Sequence, residues 1–103
     1  MRQAKVFVNG VEAGVLEEVT RGAEYVFRYL ENYRGDPVSL TMPVVLKEIH
    51  FNRFPAFFDG VLPEGIMLES LLRQNKIDKD DYFSQLLVVG GDLVGAVTVK
   101  EIS

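Results

Sequence analysis

The residues able to do chemistry are few and scattered. His50 is the single histidine, and an imidazole acting as a general base needs an orienting carboxylate or a nucleophile within hydrogen-bond reach. Its neighbours Glu48 and Asn52 lie in a stretch of loop-like composition, so His50 reads as a surface or structural residue. The acids Asp78, Asp80 and Asp81 suggest a cation site, but an EF-hand loop needs Gly at its sixth position and Glu at its twelfth. Ile77-Asp78-Lys79-Asp80-Asp81-Tyr82 does not meet that spacing, and helix capping accounts for its acids. Gly90-Gly91-Asp92-Leu93-Val94-Gly95 is rich in glycine like a phosphate loop, yet no Gly-Lys-Ser/Thr follows and a strand comes next. It reads as a turn. The aromatics Tyr25, Phe27, Tyr29, Phe54, Phe57 and Phe58 have faces on which bases could stack, but without a basic groove they fill a core. The chemistry left is that of contact. Val61, Leu62, Ile66 and Met67 are apolar in a segment bracketed by Gly60, Pro63 and Gly65, where a solvent-facing loop would be polar. Some of these side chains are expected to face a partner; the alternative is that Leu62 folds back onto the core and Pro63 simply starts a helix, with Glu64 favoured in its first turn by the helix dipole.

The elements that must hold this segment follow from periodicity. Lys5–Val8 and Val11–Leu16 flank Asn9-Gly10, whose residues accept the positive φ of a type I′ turn, and predict a hairpin. Tyr25-Val26-Phe27-Arg28-Tyr29 puts three aromatics on one face at period two, and Val38-Ser39-Leu40-Thr41-Met42 alternates apolar with hydroxyl residues. Both are predicted strands, with Pro43 closing the second. Phe54–Asp59 forms one helical turn with Pro55 near its start and Gly60 at its end. Leu68, Leu71 and Leu72 predict a helix from about Glu64 to Gln74, with Asn75 as left-handed C-cap. Asp80 or Asp78 caps a second helix whose apolar stripe includes Tyr82, Phe83, Leu86 and Leu87 and which Gly90-Gly91 ends. Val94–Val99 reads as a late buried strand, with a polar tail after it. The fold class is therefore α+β: a mostly antiparallel sheet starting with a hairpin, two main helices packed on it, and a late C-terminal strand.

Composition bounds the function. The 103 residues, 48% of them hydrophobic, suit one domain spanning residues 1–103 with one core. Zero cysteines exclude a disulfide framework and thiolate metal sites, and with one histidine neither a metal nor a cofactor is expected. Fifteen acids against 11 Lys and Arg give no footprint for a phosphate backbone, which disfavours direct nucleic-acid binding. The N-terminus has no long apolar run and no segment is long enough to span a bilayer, so a cytoplasmic protein without a membrane partner is expected.

One ordered set of motifs covers nearly the whole chain: Asn9-Gly10 with Gly14-Val15-Leu16, Tyr25–Tyr29, Val38–Pro43, Phe57-Phe58-Asp59-Gly60-Val61-Leu62-Pro63-Glu64-Gly65, and Gly90–Ala96. In that order they resemble the N-terminal subdomain of HipA-type kinases. In the full-length kinase the subdomain precedes a Ser/Thr kinase body, whose nucleotide loop, catalytic Asp and magnesium ligands do not fit in the residues after Val99. A free-standing subdomain of this kind resembles HipS, the small component of tripartite HipBST toxin–antitoxin systems. The resemblance implies an antitoxin that is not itself an enzyme. It would bind and neutralise a HipT-type kinase toxin, which phosphorylates an aminoacyl-tRNA synthetase, alongside a HipB-like helix-turn-helix protein. The expected partner-binding residues are Val61, Leu62, Pro63, Glu64, Gly65, Ile66 and Met67, with Phe54, Phe57 and Phe58 as structural anchors; Phe57→Ala is expected to cost about 3–5 kcal/mol. An excised N-terminal domain of a full-length HipA-type kinase and an unrelated small adaptor are the alternatives.

Overall fold

Asn9 and Gly10 both take positive φ, 52° and 80°, the turn geometry their side chains permit at little cost. They join β1 (Arg2–Val8) to β2 (Val11–Thr20) in the expected hairpin. The computed structural model describes residues 2–93 and 95–102. Beyond the hairpin come β3 (Glu24–Tyr29), β4 (Glu48–Phe51), α1 (Ala56–Asp59), α2 (Gly65–Asn75), α3 (Tyr82–Val89) and β5 (Val97–Glu101). The sheet runs β4-β3-β2-β1-β5 with every pairing antiparallel. The first and last strands of the chain thus lie side by side.

Period two assigns the faces. Ala4, Val6 and Val8 of β1, Leu16 of β2, Tyr25, Phe27 and Tyr29 of β3, and Val97 and Val99 of β5 are buried in one core with Phe58, Phe83 and Leu86 from the helical half. Tyr25 stacks on Phe83 at 6.4 Å and meets Phe54 edge-on at 5.4 Å, which ties β3 to α3 and to the segment leading into α1. Two glycines permit close approach. A Cβ on Gly14 would stand 2.2 Å from the Arg28 carbonyl oxygen, and one on Gly90 would stand 2.2 Å from that of Val99. The opposite face carries a polar ladder, in which Glu17 accepts from Gln3 at 2.9 Å and from Arg28 at 3.0 Å.

Several sequence expectations are corrected. Val38–Met42 is not a strand, because its burial does not alternate as a strand's does: Val38 and Met42 are buried while Leu40 between them is 94% exposed. The strand in that part of the chain is β4, formed by the Glu48–His50 stretch that looked loop-like. The left-handed cap of α2 is Lys76 at φ 53°, and Asn75 closes the helix from inside, its side-chain amide donating to the Leu71 carbonyl. Asp81, rather than Asp80 or Asp78, caps α3 by accepting from the Ser84 amide at 3.2 Å. The late strand begins at Val97 and carries Lys100 and Glu101 into register with Lys5 and Ala4, so these two residues are sheet and not tail; Val94 lies outside the described residues.

A partly buried charge cluster locks α3 to the sheet. Arg2 donates to both carboxylate oxygens of Glu18, at 2.7 and 2.9 Å, and to Asp81 at 2.9 Å and Ser84 at 2.7 Å. Its guanidinium also lies 5.1 Å from the Phe83 ring centroid. Burial pushes the Glu18 carboxyl up, but hydrogen bonds from Arg2, the Gly22 amide and the Tyr25 hydroxyl outweigh it and hold the group below its ordinary value. Asp81 is likewise pushed up by burial and brought below its ordinary value by Arg2 and Ser84. Burial, with the Glu18 charge beside it, pushes the Tyr25 phenol up to about 12.

Candidate functional site

The segment singled out from the sequence is rooted in the aromatic core. Pro55 sits just before α1, with φ −57° and ψ 131°, and presets the entry into the turn. Phe58 is fully buried and Phe54 nearly so, while Phe57 is half-buried with its ring edge-on to Phe58 at 5.2 Å. The large cavity penalty of an alanine substitution therefore belongs to Phe58 more than to Phe57. Beyond α1 the chain stays tight: Gly60, Val61 and Leu62 donate in turn to the carbonyls of Ala56, Phe58 and Asp59 at 3.0, 3.2 and 3.2 Å.

Burial then changes along the segment. Leu62 is buried, Val61 and Pro63 are half-buried, and Glu64, Gly65, Ile66 and Met67 are exposed. Gly65 opens α2 at φ +60° with open space where a Cβ would be, so glycine serves the backbone conformation there and not a close contact. Ile66 and Met67 stand 80% and 73% exposed on the first turn of α2. That helix has no fully buried residue, and Leu68, Leu71 and Leu72 are half-buried. α3, by contrast, buries Phe83, Gln85 and Leu86. Two apolar side chains, the β-branched Ile66 and the flexible Met67, are thus carried into solvent on a helix whose root is fixed by Phe54, Phe58 and Leu62.

A second displayed segment was not legible in the sequence. The Tyr29 hydroxyl accepts from the Val38 amide at 2.9 Å and donates to the Met42 carbonyl, while the Tyr29 amide donates to the Lys47 carbonyl at 2.8 Å. One buried tyrosine therefore clasps the connection between β3 and β4 at three points. Leu40 projects between the clasped residues, and Val45 and Leu46 are exposed in the 3₁₀ turn that follows. The available signal was the tyrosine itself, since a buried phenol needs a partner, but which backbone groups it would meet depends on the fold.

The groups considered for catalysis do not assemble. His50 is exposed on β4, its ring nitrogen 3.0 Å from Glu48, which also accepts from Arg28 at 2.7 Å. Asp81 is engaged in capping and by Arg2, and Gly90–Asp92 form a 3₁₀ turn running on from α3. Among the described residues no group of three or more His, Cys, Asp or Glu could hold a metal ion, and no helix is long and apolar enough to cross a membrane. The arrangement presents surfaces for contact: a rigid α+β body with apolar side chains held out on two anchored segments.

The profile of the HipA N-terminal domain family matches residues 4–100. A solved structure described as the N-terminal domain of HipA toxin superposes with a TM-score of 0.78 at 29% identity, covering 100% of this chain and 94% of that one. A Haemophilus influenzae protein, described as an uncharacterized protein, is 34% identical over 101 residues, which span 98% of this chain and 93% of the relative. The chain belongs to the HipA N-terminal domain family.

Proposed function

We propose that this domain binds a HipT-type Ser/Thr kinase toxin at or near its active site and neutralises it, acting as a HipS-like antitoxin in a complex that also holds a HipB-like helix-turn-helix protein. The observation carrying this reading is the exposure of Ile66 and Met67 on a segment rooted in the core, in a chain of the HipA N-terminal domain family. The Haemophilus relative supports a stand-alone role, because its whole length is nearly matched by this one domain. Phosphoryl transfer needs the nucleotide loop, magnesium and catalytic Asp in position together, so a protein wedged at the cleft stops it without chemistry of its own. A pre-rigidified segment suits that task, since fewer rotatable bonds remain to be frozen on binding. Leu62 would shape the contact from beneath, and Glu64 to Met67 would make it.

A second reading has one observation behind it, the likeness to the N-terminal domain of HipA toxin over 94% of that chain. In that case the same surface packs against a kinase body of the same polypeptide. Replacing Ile66 and Met67 by Asp tests the shared premise. Complex formation with the kinase and rescue of growth from its toxicity are expected to be lost while the melting temperature holds, because both side chains are exposed. Wild-type affinity and wild-type rescue in that variant would refute the reading.

A further inference from the structure

The two ends of the sheet differ. At the β5 end, the Asn9 amide donates to the Ala96 carbonyl and the Ile102 amide to that of Gln3, so Val99 turns its backbone groups away from β1. Gly90 stands against the Val99 carbonyl oxygen, closely enough that a Cβ would lie 2.2 Å from it, and the turn after α3 thereby occupies that edge. At the β4 end no strand lies beyond. The Tyr29 amide donates to the Lys47 carbonyl and the Leu30 amide to that of Ala13, so odd residues of β3 bond toward β4 and even ones toward β2. The residues of β4 that bond back are then Ile49 and Phe51. Glu48 and His50 turn their N–H and C=O groups outward, and no turn, loop or cap among the described residues bonds to them.

The side chains of this open edge are sorted by face. Ile49 and Phe51 are half-buried against the core, whereas Glu48 and His50 stand exposed on the opposite face. There they end a polar ladder that crosses four strands: Gln3 donates to Glu17 at 2.9 Å, and Arg28 donates to Glu17 at 3.0 Å and to Glu48 at 2.7 Å. The second Glu48 oxygen lies 3.0 Å from the His50 ring, with the two side chains 46% and 68% exposed. Charges on an edge strand commonly repel a further strand. This pair fits its own copy instead. When two β4 strands run antiparallel about a two-fold axis at Ile49, Glu48 stands directly opposite the partner's His50, and His50 opposite the partner's Glu48. The outward backbone groups of these same residues meet, for about four interchain hydrogen bonds. On the core side Ile49 faces the partner's Ile49. The neighbouring registers lose the match, because an axis at Glu48 sets carboxylate against carboxylate and one at His50 sets imidazole against imidazole.

We propose that the β4 edge pairs with the β4 edge of a second copy of the chain, which joins the two five-stranded sheets into one continuous sheet. Glu48 and His50 extend the polar ladder across the axis and set the register. The contact is short and the dimer correspondingly weak, since interfaces well below about 1,000 Å² hold transient pairs. Nothing in this inference rests on the kinase-binding reading.

The test uses the full chain. Sedimentation equilibrium is expected to show single chains at about 10 µM and a growing share of pairs toward about 1 mM, the range of a weak interface. Hydrogen exchange over that range is expected to protect the Glu48 and His50 amides as concentration rises, while the Ile49 and Phe51 amides, already bonded to β3, keep the protection they have. His50→Pro removes an outward N–H that the sheet does not use, and is expected to hold the chain monomeric with a melting temperature near that of wild type. Two charge variants test the register without touching the backbone: His50→Glu alone, and Glu48→Lys combined with His50→Lys. Each sets like charges opposite one another and is expected to raise the dissociation constant about tenfold or more, whereas an equimolar mixture of the two restores pairing. A wild-type chain that is monomeric at about 1 mM, with both amides exchanging freely, overturns the proposal. A dimer that His50→Pro leaves intact forms elsewhere and overturns it too. A mixture that stays monomeric while wild type pairs overturns the Glu48–His50 register. If wild type stays monomeric alone and an added HipA-type kinase body protects the two amides, the edge takes a strand of that partner and the second copy is overturned.

Discussion

Tyr29→Phe deletes one oxygen atom and tests how the β3–β4 connection is held. The hydroxyl accepts from the Val38 amide and donates to the Met42 carbonyl. Val38, Met42 and Tyr29 are all buried, at 4%, 1% and 6% exposure, so water cannot simply take the place of the lost group. Each orphaned buried backbone group costs about 1–3 kcal/mol. Two of them set the loss at about 2–6 kcal/mol, the lower end applying if the loop moves out to find solvent. For a domain of this size each kcal/mol lowers Tm by about 4–8 °C, so a fall of roughly 10 °C or more is expected in calorimetric melts. Hydrogen exchange supplies the local readout: the Val38 amide is expected to lose protection in the variant before the amides of the β1–β2 hairpin do. A variant with wild-type Tm and a still-protected Val38 amide would refute the clasp.

The aromatic anchors separate by burial: Phe58→Ala is expected to cost about 3–5 kcal/mol and Phe57→Ala clearly less, about 1–2 kcal/mol, because part of the Phe57 ring already meets solvent. Equal losses in urea unfolding would contradict that division. Gly90→Ala places a Cβ 2.2 Å from the Val99 carbonyl oxygen and is expected to destabilise by about 1–3 kcal/mol by prising the end of α3 from β5; wild-type unfolding would show that the two elements can part freely. Glu18 and Asp81 titrate below their ordinary values of 4.5 and 3.8, so their contribution is complete above those values and is lost as pH falls through the lower folded ones. Arg2→Met leaves the Glu18 charge buried without its partner, and its stability deficit against wild type is expected to be largest near neutrality and to narrow as the pH falls below the ordinary carboxylate values. A deficit independent of pH would show that Arg2 acts by packing alone. At the other extreme the Tyr25 phenol, raised from 10.0 to about 12, contributes stability that is present below pH 10 and fades between the two values; Tyr25→Phe removes that alkaline dependence in melts across the same range.

What the amino-acid sequence determined by itself was local. Asn9-Gly10 specified the hairpin because two consecutive positive φ values suit few other residue pairs, and Tyr25, Phe27 and Tyr29 specified a buried strand face because period two admits no other placement. Pro55 and the leucines after Gly65 marked the helical segments by the same kind of near-neighbour geometry. The apolar character of Gly60–Met67 was also legible, but not its division: that Leu62 turns inward and Ile66 and Met67 outward follows from where α1 sits on the core. Tertiary structure alone decided the rest. The alternation in Val38–Met42 is as good a strand pattern as the one in β3, yet a tyrosine hydroxyl from another strand takes up its backbone groups and turns it into a loop, while the more polar Glu48–Phe51 takes the edge of the sheet. The pairing of Arg2 with Glu18 and Asp81 spans 16 and 79 residues. Sequence spacing carries no information about such contacts, because they form only once β1, β2 and the start of α3 have been brought together by burial of the side chains beneath them.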